Sequence, residues 1–95
     1  MRQLEIVELR SLNCEKEEIR DAVKTILDSA HREFHVDAIR VYRHTAVGTD
    51  MAVHILHEAG TVLPGGSRLG YELTEFLRGF GLVHHELWMQ MEPDA

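Results

Sequence analysis

Polar and apolar residues along the chain fall into six patterned stretches separated by breakers. From Gln3 to Leu9 they interleave with the short period of a strand. Asn13 then offers a helix N-cap, and the acids Glu15, Glu17 and Glu18 complement a positive helix N-terminus. Ile19, Ala22, Val23, Ile26, Leu27 and Ala30 recur at alternating intervals of three and one, which is a single helical stripe. A helix is therefore predicted over about 14–34. Residues 37–44 alternate around Ile39 and Val41 as a second strand. The short turn Ala46-Val47-Gly48-Thr49 leads into a third strand over 50–58, its hairpin partner. Gly60-Thr61-Val62-Leu63-Pro64-Gly65-Gly66 breaks the pattern, and Ser67 caps a second helix over 67–79 with Leu69, Leu73, Phe76, Leu77 and Phe80 on its apolar side. Gly79 and Gly81 are expected to end that helix in the left-handed conformation. Residues 82–91 read as a fourth strand, and Glu92-Pro93-Asp94-Ala95 as a frayed tail.

The order is βαββαβ within a single domain of residues 1–95. Right-handed crossovers leave few ways to close it, and the commonest is a four-stranded antiparallel sheet ordered 4-1-3-2 with both helices on one face. This α+β topology resembles the ferredoxin-like fold, which hosts many unrelated functions.

Strand parity then sorts the side chains, because residues of one parity share a face. Ile39 and Val41, then Met51, Val53 and Ile55, then Val83, Leu87, Met89 and Met91 are all odd and are expected to face the helices. The even set forms the open face: Arg40, Tyr42 and His44; Ala52, His54, Leu56 and Glu58; His84, Glu86, Trp88 and Gln90. On the first strand both faces are mixed. The expectation there is Leu4 and Ile6 inward, with Glu5, Val7 and Leu9 on the open face.

Seven histidines are the candidate chemistry. Imidazole titrates near pH 6.5, so a cluster could hold a metal, move protons or sense pH. Parity separates His54 from His57 and His84 from His85. Strand order leaves His54 and Glu86 two strand spacings, roughly 10 Å, apart. A metal needs donors about 2 Å from one point, so no metal or cofactor is expected within one chain, and a histidine site would have to form across two subunits. His31 and His35 sit at the end of the first helix, where the dipole and solvent account for them. His57 and His85 fall on the helix side, where a backbone carbonyl would satisfy each, or where they would line a cleft. With Tyr42 they are the candidate acid–base residues. Gly65, Gly66 and Ser67 precede a helix N-terminus that could hold an anion, although their spacing is neither a P-loop nor a dinucleotide fingerprint.

Composition narrows the function classes. The formal charge of −6 argues against nucleic acid and against an anionic membrane surface as partner. No apolar run approaches the ~20 residues of a membrane span, and the N-terminus lacks the apolar centre of a signal peptide. The single cysteine, Cys14, excludes an internal disulfide and suggests a reducing cytoplasm. Its helix-start position favours thiolate, and the neighbouring acids oppose it. Protonating all the histidines would move the charge from −6 to +1, so self-repulsion falls near pH 6.

The open face mixes Tyr42, Leu56 and Trp88 with His44, His54, His84 and Glu86, a composition typical of an interface. Pairing two copies through it resembles the dimeric α+β barrel arrangement of ferredoxin-like proteins, and histidines in the seam would make association pH-sensitive. The primary expectation is therefore a small cytoplasmic binding or regulatory module that homodimerises through its sheet. The alternative is a small enzyme of the dimeric barrel kind, with a sheet–helix cleft for a small-molecule ligand and His/Tyr acid–base groups.

Overall fold

A computed structural model of the chain describes residues 2–11, 16–30 and 36–91. The elements run β1 (Gln3–Ser11), α1 (Lys16–Ala30), β2 (Val36–Arg43), β3 (Asp50–His57), α2 (Arg68–Leu77) and β4 (Gly81–Met89). The strands form one antiparallel sheet in the order β2-β3-β1-β4, as the topology rules required. The expectations for Asn13, Cys14, His31 and His35 lie outside the described residues. Among the described residues no helix is long and apolar enough to cross a membrane.

One face of the sheet meets both helices. Val7, Leu9, Val53 and Ile55 from the central strands pack with Ile19 and Val23 of α1 and with Leu69, Leu73 and Leu77 of α2, all buried. The three α2 leucines recur every four residues, so one stripe of that helix supplies a third of the core. Ser67 caps α2 through its hydroxyl, which accepts from the Gly70 N–H at 3.0 Å.

Two expectations are corrected. On β1 the buried residues are Gln3, Glu5, Val7, Leu9 and Ser11, so Leu4, Ile6 and Glu8 take the open face. The predicted facing was inverted. Val7 and Leu9 outcompete Leu4 and Ile6 for the core, and this carries a glutamate inside with them. The glycines after α2 also act differently. The helix ends on Arg78 in ordinary right-handed geometry, and neither Gly79 nor Gly81 has positive φ. Gly81 is instead demanded by close approach, since a Cβ there would stand 2.2 Å from the Arg10 carbonyl oxygen across the β1–β4 ladder.

Gly81→Ala is therefore expected to destabilise the fold by about 1–3 kcal/mol, because backbone on backbone cannot yield like a side chain. The check is the urea midpoint at pH 7; an unchanged midpoint would show that β4 shifts freely.

Candidate functional site: a buried carboxylate cluster and a cleft beneath the first helix

The inverted β1 places Glu5 beneath the start of α2, fully buried. Its carboxylate is met from three sides. The His57 Nε2–H donates to Oε1 at 2.9 Å, and the His85 Nε2–H donates to Oε2 at 2.6 Å. The Ser67 hydroxyl donates to Oε1 at 2.6 Å, while the Ser67 N–H is shared between the two oxygens at 3.2 and 3.1 Å. A carboxylate only accepts, so both imidazoles carry their proton on Nε2.

The local sequence explains how these groups converge. Gly65 and Gly66 adopt φ +82 and +108, which turns the chain sharply into α2. Gln3 holds the same loop, its amide exchanging hydrogen bonds with the Leu63 backbone at 3.0 and 2.8 Å. Gly70 lets the helix descend onto the carboxylate: a Cβ there would lie 1.8 Å from Glu5 Oε2. Burial pushes the Glu5 pKa up most strongly of any single influence. The hydrogen bonds from the Ser67 hydroxyl, His57, His85 and the Ser67 N–H together outweigh it, and hold the carboxyl below the ordinary range.

The expected anion slot at Gly65, Gly66 and Ser67 thus has its anion within the chain, since Ser67 donates to Glu5. His57 and His85 lie on the helix side as parity required, but each is satisfied by this carboxylate and not by a backbone carbonyl. Tyr42 does not join them. Its ring packs on His54 across the open face, with centroids 4.6 Å apart. Glu5 is the residue that sequence reasoning missed. Two odd-parity histidines and a helix N-terminus on one side of a sheet all need an acceptor, and a glutamate on the central strand could have been proposed as it.

The interface candidates keep their parity, with one exception. Tyr42, His54, Leu56, His84, Glu86 and Trp88 share the open face. His44 lies just past β2, and its Nδ1 accepts from the Ala46 and Val47 N–H groups at 3.0 Å each, capping the hairpin turn. Glu86 accepts from His84 at 2.5 Å and from the Trp88 indole at 2.9 Å, and these hydrogen bonds hold its pKa below the ordinary value. Among the described residues no three His, Cys, Asp or Glu side chains are grouped to hold a metal.

A separate cleft of about 560 Å³ opens between α1 and the β2–β3 hairpin. None of Glu5, His57, Ser67 or His85 lines it.

Because the folded pKa of Glu5 lies below its unfolded value, its contribution to stability is complete above the unfolded carboxyl range near 4.3. It is lost as pH falls through the lowered folded value. Glu5→Gln is expected to cost about 2–4 kcal/mol at pH 7, since a buried hydrogen-bonded charge is replaced by a mismatched amide. It should also flatten the decline of stability between pH 5 and 2 relative to the parent chain. Urea unfolding across that range checks both effects.

No protein-family model matches the chain, and no curated protein matches it in sequence. Solved structures do match in architecture. SnoaB, a cofactor-independent oxygenase from Streptomyces nogalater, superposes with a TM-score of 0.75 at 7% identity, covering 98% of this chain and 96% of that one. A Nitrosomonas europaea protein named as a candidate antibiotic biosynthesis monooxygenase gives 0.73 at 8% identity, covering 99% and 94%. A Mycobacterium tuberculosis protein gives 0.74 at 9% identity, with both chains fully covered. At such identities the likeness establishes the fold, and this chain shares with them a ferredoxin-like α+β architecture.

Proposed function

We propose that the chain is a small binding module that forms a homodimer through its open sheet face. One observation carries this reading. With β1 correctly faced, the register aligns Ala38, Leu56, Leu4 and Trp88 in a single apolar row across all four strands. Ile6 lies in the neighbouring row. Trp88 is 57% exposed there. An apolar band of this breadth on an uncovered sheet favours burial against a second sheet.

The polar residues support a second copy as the occupant. The next row runs Arg40, His54, Ile6, Glu86, with a cation on edge strand β2 and an anion on edge strand β4. A two-fold axis parallel to the strands, between two facing sheets, brings β2 of one copy over β4 of the other. Arg40 then meets Glu86 of the second copy twice, which is the self-complementarity a two-fold interface needs.

A second reading, an enzyme, is favoured by Glu5 and His85. A buried ionised carboxylate that fixes the Nε2–H of a histidine leaves its Nδ1 to accept a proton, and the His85 side chain is 16% exposed. SnoaB is a cofactor-independent oxygenase. Chemistry of that kind would require a substrate able to supply its own electrons to O2, such as an electron-rich phenol whose proton His85 accepts.

Sedimentation analysis tests the dimer. Trp88→Ser is expected to weaken self-association at least about tenfold, as loss of a large aromatic anchor does. Arg40→Glu and Glu86→Arg should each weaken it, and the double exchange should restore it; a monomeric parent chain would overturn the reading. For the enzyme, O2 consumption with a series of electron-rich phenols should depend on His85, and an unchanged rate in His85→Asn would remove that histidine from the chemistry.

A further inference from the structure

Val41 lies on the helix side of β2, paired in register with Val53. Val53 is 0% exposed, yet Val41 is 49% exposed. A valine that the pattern places toward the core is therefore uncovered, because α1 does not close down on the hairpin end of the sheet. The gap is the cleft of about 560 Å³, within the few-hundred to 1,000 Å³ range of small-molecule sites. Its apolar wall comes from Ile19, Val23 and Leu27 of α1 and from Val41 and Met51 of the hairpin.

The charged residues of the same cleft are uneven. Arg20, Lys24 and Arg43 line it, with Asp50 as the one carboxylate among the described lining residues. This local excess of cations stands in a chain of net charge −6. Arg2, Arg68 and Arg78 each pair with an acid, with Asp37, Glu72 and Glu75 respectively. Among the described residues no acid pairs with Arg20, Lys24 or Arg43. Arg20 and Lys24 are four apart on one helix, so both stand on the side of α1 that borders the cleft.

We propose that this cleft binds a small amphipathic organic anion, its apolar body against Val23, Val41 and Met51 and its carboxylate, sulfonate or phenolate held by Arg20, Lys24 and Arg43. Guanidinium groups suit such a head group because they offer paired N–H donors. The inference needs neither the dimer nor acid–base chemistry, because the cleft shares no residue with the Glu5 cluster and binding requires no reaction.

The test uses 8-anilinonaphthalene-1-sulfonate as the anionic probe and N-phenyl-1-naphthylamine as its uncharged analogue, both followed by fluorescence on the full chain. The sulfonate should bind the parent chain, and Arg20→Gln/Arg43→Gln should weaken it about tenfold or more, the cost of lost charge-assisted hydrogen bonds. The uncharged analogue should bind both proteins alike. Asp50→Asn should tighten the sulfonate, and Val41→Trp, which fills the cleft, should exclude both probes. Trp88→Ser, on the opposite face, should leave sulfonate binding intact. Sulfonate affinity unchanged by the double substitution, or abolished by Trp88→Ser, would overturn the proposal. Amide shifts on sulfonate binding should fall in residues 19–27 and 41–51, and shifts confined to the open face would overturn it equally.

Discussion

The structure depends on keeping one carboxylate charged where no water reaches it. An isolated ionised carboxyl in a protein interior costs several kcal/mol after relaxation, so it persists only with a full set of donors. Glu5 has them, from His57 on β3, His85 on β4 and Ser67 at the start of α2. One side chain on the central strand β1 thereby ties together both neighbouring strands and the helix above them. The surrounding residues follow from that need. Gly66 and Gly70 are small because a Cβ at either would collide with the carboxylate, and Gln3 secures the loop that delivers Ser67.

The two helices consequently cover the sheet unequally. α2 is pinned over Glu5 and presses Leu69, Leu73 and Leu77 into the core, each with no exposed surface. Among the described residues α1 contributes only Ile19 and Val23 as buried residues, with Ile26 and Leu27 partly covered, and has no comparable polar anchor. One half of the helix layer is therefore closed and the other leaves a cleft. Beneath α2 the interior is filled and hydrogen-bonded around Glu5, whereas beneath α1 an apolar wall stays open beside Arg20, Lys24 and Arg43.

The opposite side of the sheet follows a different rule. Its residues avoid water only if something else covers them, and the row from Ala38 to Trp88 offers a continuous apolar strip for that purpose. The polar groups around it are already partly engaged within the face. His84 and Trp88 both donate to Glu86, and the Tyr42 ring packs against His54. These contacts hold the side chains of the face in one orientation, which would lower the entropic cost of the association proposed above. They also account for histidines that looked like a site: His54 and His84 are side chains of a surface, and His44 caps a turn.

The sequence by itself determined the order of elements, the strand parity and the sheet topology, because these depend on local periodicity and on chain handedness. Parity alone was enough to assign His57 and His85 to the helix side and to break up the adjacent-histidine motifs. It was not enough for β1, where Leu4 and Ile6 compete with Val7 and Leu9 on nearly equal terms. Local pattern contains no information on which pair packs better against α2. Only the tertiary structure decided that, and with it the position of Glu5, whose burial is tolerable solely because two histidines and a helix N-terminus, 52 to 80 residues away, converge on it. The cleft was equally out of reach, since how far a helix closes onto a sheet depends on packing between elements and not on the periodicity within either one.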